Sequence, residues 1–314
     1  MRIFHIRPFI AFILILFLLT GCSTSSGQKE EPPVYSPLQV LVPEAPGKKT
    51  LGASPLTLDI SNANQGYLTA ISDSDSQKMN VQLTSENEAV YSYFVSPGKS
   101  AVIPFSSGSG TYQICCYQQI DGSRYAALFA DTLEVSLENE FLPFLYPNQY
   151  VNFTPDSASS KLALSIISED ASDVDALQAV YNYVVQNLTY DYDLADTVDS
   201  GYIPDVDSTL KSGKGICFDY AALTTAMLRA RDIPCKLQIG YSGTVKHAWI
   251  SVYIRSKGWV DKAVEFSGES WSRMDPTFDS NSKDKENIQQ YIGDDDNYSV
   301  QFTRCLLYTS PSPR

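Results

Sequence analysis

The stretch that most constrains this chain runs from Gly213 to Pro234: Gly-Lys-Gly-Ile-Cys-Phe-Asp-Tyr-Ala-Ala-Leu-Thr-Thr-Ala-Met-Leu-Arg-Ala-Arg-Asp-Ile-Pro. Gly213 and Gly215 make the backbone pliable just before Cys217. Beyond the cysteine, Tyr220, Leu223, Met227 and Ala230 recur at three- and four-residue spacing, which predicts a buried helix. Arg229 and Arg231 suit the negative end of its dipole, and Pro234 stops it. Cys217 therefore belongs at or near the first turn. Free N–H groups and the positive dipole end favour a thiolate there, and the thiolate is the nucleophilic form.

A thiolate nucleophile needs a base and a group to orient the base. The chain has two histidines, His5 in an apolar leader and His247. His247 opens His-Ala-Trp-Ile-Ser-Val-Tyr-Ile, an alternating segment that predicts a strand with Ile250, Val252 and Ile254 on one face and His247, Trp249, Ser251 and Tyr253 on the other. Downstream, Asp275 ends a short strand that Pro276 interrupts, in Trp271-Ser-Arg-Met-Asp-Pro-Thr-Phe.

These three motifs, in this order, resemble the transglutaminase-like superfamily of papain-like cysteine enzymes, the bacterial transglutaminase-core proteins above all. The likeness runs roughly from Asp173 to Tyr298 and takes in Asn187-Leu-Thr-Tyr-Asp-Tyr. It implies a Cys-His-Asp triad: Cys217 as nucleophile, His247 as general base and acid, and Asp275 as the group that orients the imidazole. It also implies that the tyrosine-rich segment lies near the cysteine, which makes Tyr190 a secondary candidate. Asp261, in Trp259-Val-Asp-Lys, is a rival for the third triad position. Asp275 is preferred because Trp271 precedes it by four residues and Pro-Thr follows, as in the family pattern.

Residues 1–21 read as a lipoprotein signal peptide rather than part of the fold. Arg2 and Arg7 make a basic start, and the apolar run from Phe9 to Leu19 is too short to span a bilayer comfortably. Leu19-Thr-Gly-Cys22 resembles a bacterial lipobox, so Cys22 is the expected lipidation site. The competing reading is a plain signal peptide or an anchor helix. Acyl chains on Cys22 would hold the protein to the cell membrane on its extracytoplasmic face. Residues 22–50, rich in Ser, Gln, Glu, Lys and Pro, read as a flexible tether.

Residues 51–145 carry short alternating runs: Tyr67–Ile71, Met79–Leu83, Ala89–Val95, Ser100–Phe105, Thr111–Gln118, Tyr125–Ala130 and Thr132–Leu137. Turn clusters separate them, which predicts an all-β, sandwich-like module. Calcium at its Asp and Ser turns is weighed against ordinary solvated turns, and the latter is preferred. Residues 146–304 form the expected catalytic domain. Helices are predicted over Ser157–Ile167 and Asp173–Val185, an acidic loop over Asp191–Asp207, and strands over Lys236–Tyr241, Val245–Ile254 and Gly258–Phe266. A Ser267-Gly-Glu-Ser hairpin turn, a helix near Glu286–Ile292 and a last strand over Tyr298–Phe302 follow. The fold class is thus α+β: a sandwich-like module, then helices packed on an antiparallel sheet, as the papain-like resemblance implies. Residues 305–314 fit nothing before them and read as a non-native tail.

With 314 residues, 43% of them hydrophobic, the chain can build a core in each part. A net charge of −13 argues against nucleic acid and against attraction to anionic lipid. Of six cysteines, Cys22, Cys217 and Cys305 are spoken for. Cys115, Cys116 and Cys235 remain, an odd set that gives no disulfide framework. No metal or other cofactor is expected: beyond the leader there is one histidine and no Cys-x-x-Cys pair. Two function classes follow. One is a membrane-anchored cysteine enzyme transferring acyl groups at amide bonds of a cell-envelope peptide or protein, as peptidase, amidase or protein-glutamine transglutaminase. The other is a catalytically silent surface module that binds peptide or glycan. The intact triad favours the enzyme.

Overall fold

A computed structural model describes residues 31–34, 39–199, 201–242, 245–266 and 298–302. Of residues 241–242, 245–247, 262, 264–266 and 298–302 it describes the backbone alone. The chain divides into two units, 1–30 and 31–314. The leader, the lipobox with Cys22, the 267–270 turn, Asp275, the helix expected near Glu286 and the tail all lie outside the described residues. No described helix is long and apolar enough to cross a membrane.

Eight strands build the first half. β1 (Thr50–Ala53), β2 (Leu56–Asp59), β3 (Tyr67–Ser72) and β6 (Ser100–Pro104) form one antiparallel sheet in that order. β4 (Met79–Ser85), β5 (Val90–Val95), β7 (Gly110–Asp121) and β8 (Arg124–Val135) form the second, ordered β5-β4-β7-β8. Alternation drives both. Leu58, Leu68 and Ile103 of one sheet and Val81, Tyr93 and Ile114 of the other are fully buried in a shared core. Each such aliphatic burial contributes about 1.5–3 kcal/mol. Cys116 is buried and its neighbour Cys115 only half-buried, as strand alternation requires.

Two expectations need correction here. The runs Tyr125–Ala130 and Thr132–Leu137 are one strand, β8. It lies at the sheet edge and pairs with β7 almost throughout, so the exposed Asp131 between the runs does not end it. The strands β1 and β2 carry too short an alternation to be seen in the sequence. Within the stretch read as a tether, the Glu44 N–H donates to Tyr67 Oη (2.8 Å) and the Gly47 N–H to Asp59 Oδ2 (2.6 Å). These bonds fasten the end of that stretch to the sandwich.

The second half is α+β. Helices α1 (Ala158–Ile166), α2 (Asp173–Asn187), α3 (Tyr192–Thr197) and α4 (Val206–Ser212) precede α5 (Cys217–Arg229). Strands β11 (Cys235–Ser242), β12 (Val245–Ile254), β13 (Gly258–Phe266) and β14 (Tyr298–Phe302) form an antiparallel sheet in the order β13-β12-β11-β14. The acidic stretch expected as a loop contains α3 and the start of α4. Two of its aspartates are helix caps: Asp191 accepts the Leu194 N–H and Asp205 the Ser208 N–H, each at 2.9 Å.

Helix α5 lies at the centre of this half. From Phe218 to Arg229 every residue is buried, against α1, α2 and α4 on one side and the sheet on the other. The sheet is covered on both faces, since Trp249 and Ser251 are as buried as Ile250 and Val252. Residues 141–144 supply part of the second cover. Phe141 meets Tyr253 (ring centroids 4.4 Å apart), Phe144 meets Trp259 edge-on (5.2 Å), and Lys236 Nζ sits 3.9 Å above the Trp259 ring. A relay of rings also joins the halves: Tyr93 to Tyr150 at 5.8 Å, then Tyr150 to Phe218 at 5.9 Å. The residue after Cys217 thus packs on a ring that also touches the sandwich.

Candidate active site

The approach to Cys217 is fixed by backbone. Gly213 ends α4 in the left-handed conformation (φ 64°), its N–H bonded to Thr209 O at 3.0 Å. The next two residues, Lys214–Gly215 (β10), pair in parallel with Thr189–Tyr190 (β9). The Thr189 N–H donates to Gly213 O (2.8 Å) and the Asp191 N–H to Gly215 O (2.9 Å). Gly215 serves space rather than pliability. A Cβ there would lie 2.6 Å from Asp219 Cβ, closer than real contacts allow.

Asp219 is the site residue the sequence reading missed. Its carboxylate folds back over the start of α5, where Oδ2 accepts the Ile216 N–H at 2.8 Å and Oδ1 accepts the Tyr202 hydroxyl at 2.7 Å. Burial raises its pKa, and these two donors only partly offset the rise. The signal was present as half of a capping box, an acidic residue three positions after the N-cap Ile216. Tyr202 comes from the 199–205 connection and could not be placed beside it by any local pattern. Asp219 and Tyr202 together lock the first turn that Cys217 opens.

Cys217 is half-buried and in no disulfide. Tyr190 lies beside it. Burial pushes the Tyr190 phenol up to about 12; a negative charge on Cys217 would push it the same way, and the Cys217 backbone N–H, donating to the hydroxyl, pulls it back. The tyrosine that the family resemblance placed near the cysteine is there. His247 lies in β12 opposite Gly240 of β11, on the strand against which α5 packs. Asp261 is exposed, on β13 at a register irregularity between the pairs Ile250–Val264 and Val252–Val260. That register sets it near Ser251, four residues along β12 from His247, or about 13 Å at strand rise. Asp261 is thus not brought to the histidine's position. Asp275, the preferred third member, lies outside the described residues. Among the described residues no group of three or more His, Cys, Asp or Glu is placed to hold a metal ion.

The order of motifs and the buried helix opening on a cysteine now have a counterpart among known proteins. Residues 160–276 match the family model of the transglutaminase-like superfamily. Those residues are similar to a transglutaminase-like core domain. The matched stretch begins within α1 and spans the positions of Cys217, His247 and Asp275. Among curated proteins, the mouse (Mus musculus) kyphoscoliosis peptidase is 26% identical over 116 residues, which are 33% of this chain and 17% of that protein. This chain therefore matches about a sixth of that relative's length. Among solved structures, a Cytophaga hutchinsonii protein described as a putative cysteine protease aligns over 67% of this chain and 75% of its own, at 15% identity and TM-score 0.35. A putative protease from Parabacteroides distasonis aligns over 71% of this chain and 62% of its own, at 12% identity and TM-score 0.29.

Proposed function

We propose that this chain is a cysteine enzyme that transfers acyl groups at amide bonds of a peptide or protein. One observation carries the reading: the half-buried Cys217 opens a helix whose first turn is locked by a buried carboxylate, inside a transglutaminase-like core. The positive dipole end of such a turn favours a thiolate over a thiol. The Cys217 sulfur attacks the amide carbonyl carbon, and the carbonyl π pair moves to oxygen. As the C–N bond breaks, the amine leaves with a proton from His247, and a thioester remains. Water or an amine then attacks the thioester, gives its proton to His247, and releases the thiolate. Asp275 holds the imidazole with its Nδ1–H toward the carboxylate. The similarity to a curated peptidase supports water as acceptor.

Single-turnover acylation by an activated ester tests the unit. Cys217→Ala and His247→Ala each abolish it, and the double variant is no worse, because such residues act together. Asp275→Asn slows it on the order of a hundredfold or more, while Asp261→Asn has little effect. If Cys217→Ala reacts like the parent, the chain is a binding module and not an enzyme. The lipobox supports a second part of the proposal, attachment through lipid on Cys22 to the outer face of the cell membrane. The parent sediments with membranes and Cys22→Ser does not; equal partitioning of the two would refute the anchor.

A further inference from the structure

A large cleft among the described residues lies away from the cysteine. It has a volume of about 1040 Å³ and lies between the outer face of the β5-β4-β7-β8 sheet and the segment from α3 to Tyr202. Its floor is a grid set by strand register. Phe94, Asn80 and Tyr117 stand side by side across β5, β4 and β7, with Ser92 paired to Gln82 in the row above. In the row below, Gln119 of β7 pairs with Tyr125 of β8. Cross-strand neighbours of this kind are about 5 Å apart, so the floor is about 10 Å across and about 13 Å long. The far wall is apolar, from Leu194 and Val198, and ends at Tyr202.

Three features define what fits. First, the floor offers side chains only. Strands β4 and β7 are each paired on both sides, so their backbone donors and acceptors are already used in the sheet. An extended peptide is bound at a free strand edge, not on such a face. Second, the floor alternates rings with amides. Phe94 and Tyr125 lie 6.2 Å apart with tilted planes. Asn80 and Ser92 are buried beneath the floor, the Asn80 amide donating to Ser92 Oγ (2.6 Å) and Tyr93 O (3.2 Å). The amides a ligand meets are those of the half-buried Gln82 and Gln119, the latter donating to Gly122 O (2.6 Å). Rings accept the flat C–H faces of pyranoses, while amides pair with hydroxyls that both donate and accept. Third, charge is nearly absent. The cleft has one cation, Lys78, set over Phe94, and one anion, Asp199. Stacking platforms for nucleic-acid strands need a basic groove, which this lacks.

We propose that this cleft binds an uncharged oligosaccharide. The site is independent of the acyl-transfer reading. What rests on that reading is its use: Tyr202 lines the cleft and also hydrogen-bonds Asp219, which caps the helix that Cys217 opens. A glycan held there would keep an amide-bearing substrate at the site, and the sandwich would act as the substrate-selecting half of the molecule.

The test is calorimetric titration of the full chain with β-1,4-linked tetrasaccharides of N-acetylglucosamine and of glucose, and with tetra-alanine as peptide control. At least one saccharide binds, and Tyr117→Ala and Tyr125→Ala each weaken binding tenfold or more. Neither changes the rate at which a small activated ester acylates Cys217. Gln119→Ala serves where Tyr117→Ala does not fold. The proposal is overturned if neither saccharide binds at millimolar concentration, if the variants bind like the parent, or if tetra-alanine binds with the same dependence on Tyr117. Saccharide binding by a chain whose Cys217 is inert would sink the enzyme reading and leave this site standing.

Discussion

Two cysteines flank the body of α5, Cys217 in its first turn and Cys235 at the start of the strand that follows it, and they differ in what surrounds them. At the C-terminal end, Cys235 starts β11, fully buried, its Sγ 3.5 Å from Thr225 Oγ1. Burial pushes its thiol up to about 11, although Thr225 and the Arg229 charge both pull it down. At the N-terminal end, Cys217 is half-buried beside a tyrosine hydroxyl and a locked first turn. The comparison teaches that a nearby cation does not make a thiol reactive when burial is complete. Cys116, buried in the sandwich with no cation to oppose burial, has its thiol up at about 12. Access and the helix N-terminus mark one cysteine of the three as fit for chemistry.

The largest expected effect on this comparison comes from Arg229. Its guanidinium is buried and donates to Cys235 O from Nε (3.1 Å) and Nη2 (2.7 Å), and to Tyr146 O from Nη1 (2.6 Å). It ties the end of α5 to β11 and to the connection from the sandwich. Arg229→Met strands the buried Cys235 carbonyl and the part-buried Tyr146 carbonyl and costs about 3 kcal/mol in urea unfolding. The folded variant should alkylate at Cys217 as the parent does. If the cysteine slows in step with stability, the two ends are not separable and the comparison breaks.

A smaller effect is expected at the other end. The Asp219 pKa is raised from the ordinary 3.8 by burial, so the folded protein holds that proton more tightly than the unfolded chain. The parent therefore gains stability as pH falls through the raised value toward 3.8, and loses it again as pH rises. Asp219→Asn has no such proton to gain and keeps an acceptor for the Ile216 N–H. Its stability at neutral pH should lie within about 1 kcal/mol of the parent, and the difference should shift in the parent's favour on acidification. Urea midpoints at neutral and acidic pH check the sign. A pH-independent difference would mean that Asp219 binds its proton equally in the folded and unfolded chain, so that burial does not raise its pKa.

What the sequence disclosed and what it hid have physical reasons. Strand β14 was readable residue for residue, and α2 nearly so, its one-sided apolar stripe showing in the sequence. Helix α5 was readable from its spacing and its stops. Helix α3 was not, because none of its residues is buried and its cap, Asp191, looks like loop chemistry. The site divides in the same way. Cys217 and its neighbour Tyr190 followed from motif and resemblance, whereas the Asp219–Tyr202 bond depends on a contact across 17 residues of chain that no periodicity encodes. The floor of the sandwich cleft was hidden for another reason. Its residues are the polar half of each alternating strand, which a search for the core passes over.

The most direct test of the central claim, that placement at the start of α5 makes Cys217 the nucleophile, is competitive alkylation. The folded chain is treated with iodoacetamide near pH 7, and modification of Cys217, Cys235 and Cys116 is followed by peptide mass spectrometry. Cys217 should be modified faster than Cys235 or Cys116 on the order of a hundredfold or more, since buried thiols with raised pKa values are almost never thiolate at that pH. Equal rates at Cys217 and Cys235 in the folded protein would contradict the account.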